Sequence, residues 1–282
     1  MSIAGGYYKA VDAAAEAGCS VVQIFTKNNN QWKAKEISDD DVERFRAALE
    51  THNISAPISH ASYLINLASP VDELWNKSIE AMEVELRRAD RLGLDGVVVH
   101  PGAFVKSTEE EGLLRIEQAL QRVCVRYPDR NCWILLENTA GQGSCLGWSM
   151  AQLGQLIGST TESQKVGICL DTCHAHAAGY DLTDDQEFKR LVSELKSFGL
   201  SKKLRAIHLN DSKKPAGSRV DRHDHIGCGE IGRDALQRFI QHPLFRKLPM
   251  YLETAKGNDD NGRDWDVINL ETLAELSSSP VV

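Results

Sequence analysis

The segment VGICLDTCHAHAAGYD, residues 166–181, decides the fold. It runs from an apolar stretch, Val166 to Thr172, into ligand-type side chains at Asp171 and His174 and then toward helix-period sequence. A short apolar run followed by a loop and a helix is one βα unit of a parallel sheet, whose strands are buried on both faces and read as nearly continuous apolar runs. The unit recurs on either side. Further strand candidates are Val21 to Thr26, Ala56 to His60, Gly96 to His100, Trp133 to Thr139, Leu204 to Asp211 and Pro249 to Thr254, which makes seven.

Amphipathic segments separate them. Ser38 to Thr51 places Val42, Phe45 and Leu49 at three-and-four spacing, and Thr183 to Gly199 does the same with Phe188, Leu191, Val192 and Leu195. Thr108 with Glu111 and Thr183 with Gln186 match the capping box that satisfies the free N–H groups of a first helical turn. A length of 282 residues, 42% of them hydrophobic, suits one (β/α)8 barrel. No Pro/Ser-rich linker or low-complexity tract interrupts the series, so residues 1–282 read as a single α/β domain. An open doubly wound sheet would also alternate in this way, but no Gly-x-Gly-x-x-Gly turn follows an early strand, which favours a closed TIM barrel.

No run of eighteen apolar residues occurs and the Met1 end has no signal-peptide pattern, so a soluble, cytoplasmic protein without membrane contact is expected. Seven cysteines form no CxxC pair and cannot all pair within the chain, which fits a reducing compartment. Cys169 and Cys173 read as buried packing groups.

In a parallel barrel, chemistry sits where strands end and βα loops begin. Those positions hold His60, His100, Glu137, Asp171 with His174, His208, Asp221 with His223 in the following loop, and Glu253. A single His at a strand end is usually a hydrogen-bonded structural residue, but successive strands all ending in ionisable groups would cost several kcal/mol for each buried group unless metals compensate. Five imidazoles and four carboxylates suit Zn²⁺ and would accept Mn²⁺. Nine such groups exceed the needs of two ions that keep a water, so three ions are expected. The remaining histidines read as surface groups at helix ends (His52, His242) or as hydrogen-bond partners flanking ligands (His176, His225).

The blocks FTKNNNQW (25–32), SHASYLINL (59–67), HPG (100–102), LENTAGQGS (136–144), CLDTCHAHAAGYD (169–181), HLNDSK (208–213), GSRVDRHDHIGCGEIG (217–232) and LET (252–254) resemble the endonuclease IV family of zinc-dependent apurinic/apyrimidinic endonucleases. They span nearly the whole chain in family order. The resemblance implies a trinuclear zinc centre. Glu137 would bridge two ions, with His60 and His100 completing one set and Asp171, His208 and Glu253 the other; His174, Asp221 and His223 would hold the third. It also implies hydrolysis of the phosphodiester 5′ to an abasic site with a 3′-hydroxyl product, removal of 3′ blocking groups, Glu137 as the catalytic group, and double-stranded DNA as partner of a monomer.

A formal charge of −8 argues against a phosphate-binding protein at first sight. Three Zn²⁺ would bring it to about −2, and the local field matters more than the total. Lys27, Lys213, Lys214, Arg219 and Arg222 lie in loops at the barrel mouth, beside Trp32, Tyr63 and Leu64. An enzyme that extrudes a base-free nucleotide needs wedges to fill the gap, and Tyr63 and Leu64 resemble the family's wedge. At Asn30 the family has an Arg that enters the DNA stack, so weaker insertion is expected. Family members also begin with a strand ending His-Val-Ser before the Ala-Gly-Gly found here at residues 4–6, so the first barrel strand is expected to be missing; either the start at Met1 is internal to the gene product or the barrel has a gap between its first and last visible strands. Two other readings fit parts of the pattern. A metal-dependent sugar isomerase or epimerase on the same barrel would need fewer ligands, and a non-catalytic DNA-lesion binder would have lost one.

Overall fold

A computed structural model of the chain describes residues 1–278. The main-sheet strands are β1 (Val21–Phe25), β2 (Ser55–His60), β3 (Gly96–Val99), β4 (Trp133–Glu137), β5 (Val166–Asp171), β6 (Leu204–His208) and β9 (Met250–Tyr251). A small antiparallel pair, β7 (Asp211–Ser212) and β8 (His223–Asp224), lies between β6 and β9 in the chain. The helices are α1 (Tyr7–Glu16), α2 (Asp39–His52), α3 (Asp72–Leu92), α4 (Glu109–Arg126), α5 (Met150–Gly158), α6 (Thr172–Ala178), α7 (Asp185–Ser197), α8 (Gly232–Gln241) and α9 (Trp265–Ser278).

The main strands pair in parallel and in chain order, β1 through β6 and then β9. All seven coincide with the apolar runs of the sequence. The result is a nearly closed α/β TIM barrel, not an eight-stranded one: among the described residues β1 and β9 are edges that face each other across a cavity of about 550 Å³. Val21 to Phe25, Met250 to Thr254, Leu270 and Leu273 line that cavity, and the ammonium of Met1 reaches in to donate to the Gln23 carbonyl oxygen (2.7 Å).

Strand alternation creates two cores. Ile58, Val98, Leu135, Cys169, Ala206 and Tyr251 point inward and fill the barrel, while Ile24, Val97, Leu136, Ile168 and Ile207 face the helices. Register then sets the top rim, because His60 pairs with Val98, Val99 with Leu136, Glu137 with Cys169 and Asp171 with His208.

Helix starts follow local chemistry. Ser38 and Thr108 form the reciprocal capping boxes of α2 and α4. The expected box at Thr183 and Gln186 does not form. Asp184 caps α7 instead, accepting from the amides of Gln186 and Glu187, because the Thr183 hydroxyl already donates to Asp181 (2.7 Å). A carboxylate is also the stronger partner for the positive end of a helix. Gly93 ends α3 with φ of 80°, a conformation that a Cβ would strain.

Candidate metal centre

The nine ligand-type residues converge at the C-terminal mouth of the barrel. His60, Glu137, Asp171 and His208 are the last residues of β2, β4, β5 and β6, His100 directly follows β3, and Glu253 lies just past β9. Asp171 does two jobs. Its Oδ1 caps α6 by accepting from the His174 amide (2.6 Å), which fixes where the His174 ring begins. His223 is delivered by the β7–β8 pair, where it stands opposite Ser212, with Asp221 just before it.

Glu137 is at the centre, fully buried. Its Oε2 lies 3.2 Å from His60 Nε2 and 3.1 Å from His100 Nε2, and its Oε1 lies 2.8 Å from His208 Nδ1, which is also 3.0 Å from Glu253 Oε2. On the far side His174 Nε2 meets Asp221 Oδ2 at 3.1 Å and His223 Nε2 at 3.4 Å. The ligand atoms gather into sets no more than 4.8 Å across: His60, His100 and Glu137; Glu137, Asp171, His208 and Glu253; Asp171, His174 and His223; and Cys173, Asp221 and His223. The first two coincide with the sets that the family resemblance implies. The third differs in detail, since His174 and His223 meet Asp171 while Asp221 joins them through its own contacts and those of Cys173.

Four of the five rings have one nitrogen tied to a group that can only accept. His60 Nδ1 donates to the Ala61 carbonyl (2.8 Å), His174 Nδ1 to the Asn138 carbonyl (2.9 Å) and His223 Nδ1 to the Glu253 carbonyl (3.2 Å). For His208 the acceptor is the side chain of Gln23, whose Oε1 lies 2.7 Å from Nε2. The other nitrogen of each neutral ring is therefore a lone pair, and each points at carboxylate oxygens or at another imidazole. Lone pairs facing one another need a cation between them, and tethering the outward nitrogen is how proteins orient metal-binding histidines. The donor set thus fits divalent ions of the zinc type.

Electrostatics agree. Burial alone would raise the Glu137 carboxyl, but the His208 and His100 charges and hydrogen bonds from His100 and His174 hold it well below the usual range. Burial likewise opposes Glu253, which His208 brings down to about 2. Burial disfavours the charged His174 ring, yet Asp171, Asp221 and Glu137 raise it well above the ordinary imidazole value, and His60 is raised by Glu137 against the same penalty. Protons would take the cation positions when no metal does.

Two residues that brace the cluster, Asn138 and Asn210, escaped the sequence reading. Asn138 clamps the Asp171 backbone through both amide atoms (3.0 and 2.7 Å), and Asn210 joins Asp171 Oδ2 (2.7 Å) to the Glu253 amide (2.8 Å). Each sits one or two residues past a ligand, and that position was their signal. Cys173, read as packing, is buried as expected but has its sulfur among the Asp221 and His223 ligand atoms. Burial pushes its thiol up to about 12.

Around the mouth, Tyr63 is 57% exposed and stands beside His60 with ring centroids 5.4 Å apart, while Leu64 is half-buried. Lys213, Arg219 and Arg222 are exposed, Arg219 resting on the Trp148 ring. Asn30 is exposed; Trp32 is half-buried beneath the Lys77 ammonium (4.4 Å). Lys27 corrects the sequence reading. It is 6% exposed, 3.2 Å from Glu85 and bonded to the Gln31 carbonyl, so it braces the loop and has no free charge for phosphate. A cavity of about 330 Å³, bordered by His100, His174 and Asp221 and by the loop of residues 139–145, opens beside the cluster.

The family model described as "Xylose isomerase-like TIM barrel" matches residues 11–275. A "Probable endonuclease 4" of Citrifermentans bemidjiense is 42% identical over 276 residues, 98% of this chain and 96% of that protein. The crystal structure of endonuclease IV from Thermus thermophilus superposes with a TM-score of 0.85 at 34% identity, covering 98% of this chain and 96% of the other. A D-tagatose 3-epimerase-like protein shares the fold at 18% identity, with a TM-score of 0.70 and coverage of 94% and 91%.

Proposed function

We propose, from the premise that the chain belongs to the endonuclease IV family of metal-dependent DNA-repair nucleases, that it cleaves the phosphodiester 5′ to abasic sites in duplex DNA, leaves a 3′-hydroxyl and removes 3′ blocking groups. The observation that carries this is the set of tethered imidazoles, each with its remaining lone pair turned toward the carboxylates or toward another ring. A mononuclear or dinuclear sugar epimerase needs no such surplus of ligands. The relative named for that chemistry shares only the barrel.

Three zinc ions are the proposed complement. Glu137 would bridge the His60–His100 set and the Asp171–His208–Glu253 set, and His174, Asp221 and His223 would hold the third. Zinc there supplies Lewis acidity toward phosphate oxygens and makes water a nucleophile near neutral pH. Glu137, a buried carboxylate at the centre of the cluster, would orient or deprotonate the attacking water. Tyr63 and Leu64 fill the space of the extruded nucleotide, and Lys213, Arg219 and Arg222 neutralise flanking phosphates. Asn30 brings an amide to the strand, and Trp32 supports its loop.

The test pairs elemental analysis with nicking of a duplex carrying one tetrahydrofuran abasic analogue. Three zinc ions per chain with a single nick 5′ to the lesion is the expected result. Fewer than two ions and no nicking would overturn the proposal.

A further inference from the structure

Three of the tethered rings lean on backbone carbonyls, which no substitution of the accepting residue removes. His208 alone leans on a side chain. Gln23, in β1, lies across the β1–β9 cavity from the segment that carries Glu253. Its Nε2 donates to Glu253 Oε1 (2.6 Å), and its Oε1 accepts from His208 Nε2 (2.7 Å).

The orientation of this amide follows from elementary valence. An ionised carboxylate can only accept, so the NH₂ end of Gln23 must face Glu253 and the oxygen must face His208. An amide oxygen can only accept, so His208 Nε2 must carry its hydrogen. The lone pair of His208 is then forced onto Nδ1, which lies between Glu137 Oε1 (2.8 Å) and Glu253 Oε2 (3.0 Å). One carboxamide thereby aims two ligands of the same set, an imidazole and a carboxylate, that come from different strands.

We infer that Gln23 is a positioning residue for metal: by bridging His208 and Glu253 it presents His208 Nδ1 and Glu253 Oε2 to one ion of the centre. The inference rests on the metal reading above. The residue type has a sequence signature, because Gln is the one polar residue in the strand VVQIF and its parity with Val21 turns it inward.

Two substitutions separate aiming from packing. Gln23→Met keeps the length and bulk of the side chain on a half-buried strand and removes both hydrogen bonds. Gln23→Glu keeps an acceptor for His208 Nε2–H and replaces the amide donor to Glu253 by a second carboxyl that must share a proton with it. Zinc affinity is read by competition with a chromophoric chelator, and the His208 Nε2–H proton by NMR of the zinc-loaded, ¹⁵N-labelled protein. Gln23→Met should weaken one zinc by about 10–100-fold, the range for losing a group that orients a ligand, and should let the Nε2–H exchange quickly with water. Gln23→Glu should keep that proton protected. A Met variant that holds zinc within about twofold of wild type with the proton still protected overturns the inference alone, as does a Glu variant whose proton exchanges like that of Met. Wild-type protein that takes up no zinc overturns the metal reading and the inference with it.

Discussion

Asp211 is the residue whose change should be felt furthest from its own contacts. It is fully buried and holds no metal position, yet its carboxylate gathers five backbone amides. Oδ1 accepts from Ser212 (2.8 Å) and Ile231 (2.9 Å), and Oδ2 from Gly227 (3.0 Å), Gly229 (3.1 Å) and Gly232 (3.2 Å). Asp211→Asn keeps the shape but turns one oxygen into a donor. The better rotamer keeps oxygen toward the buried Ser212 and Ile231 amides and turns NH₂ toward the three partly exposed glycines. An N–H deprived of its acceptor costs about 1–3 kcal/mol, less where water can reach, so a loss of about 2–4 kcal/mol is expected. Asp211 also pairs with Asp224 in the β7–β8 ladder that presents His223, so the loosened loop should weaken zinc uptake at the proposed site of Asp221 and His223. Urea denaturation of the metal-stripped protein isolates the first effect from binding linkage, and elemental analysis reads the second. A midpoint shift worth less than about 0.5 kcal/mol, with zinc content equal to wild type, would refute this account.

Glu137→Gln should lower nicking by about 10²–10⁴-fold at saturating zinc, the usual scale for a proton-handling group, and a loss below tenfold would count against its role. Tyr63→Ala should leave the melting temperature nearly unchanged because the ring is exposed, while weakening binding to an abasic duplex by about 1–3 kcal/mol of stacking; equal affinity would show that the ring is no wedge. Arg222→Ala should reduce the slope of log affinity against log salt by about 0.9, and an unchanged slope would remove it from the phosphate contacts. In the metal-stripped protein His174 and His208 are raised, so the stability they contribute is fully present below the unfolded imidazole pKa of about 6.5 and is lost as pH rises through their folded values. Zinc competes with those same protons and gains affinity as pH rises. The difference in melting temperature between zinc-loaded and stripped protein should therefore widen from about pH 6 to about pH 8.5, and a constant gap would contradict the assignment.

The strand ends were legible because burial on both faces gives a parallel strand an unbroken apolar reading, and the first ionisable residue after each run marks the barrel mouth. Glu137 and Asp171 follow that rule directly, while His60 and His208 end strands interrupted by Ser59 and Arg205. Pairings between distant elements were not legible. Nothing near Lys27 announces that Glu85, on α3, will take its charge. Thr183 and Asp184 both satisfy a capping pattern, and only the contact with Asp181 decides between them. Gln23 escaped notice for a different reason: polarity inside a strand looks like a flaw in the pattern until the partners at residues 208 and 253 are known to lie across from it.

Among the described residues the edges of β1 and β9 are unpaired, which makes the scaffold a split ring. A ring with a seam resists opening only as well as whatever crosses the seam, and at the mouth the Gln23 side chain crosses it, bonded to both Glu253 and His208. Those bonds join β1 to the group of atoms that would hold an ion. Spring and clasp would then be one mechanical system: an ion that engages Glu253 would, through Gln23, also tie the two lips of the barrel together. The hoop strength of this barrel is a property of its chemistry as much as of its backbone.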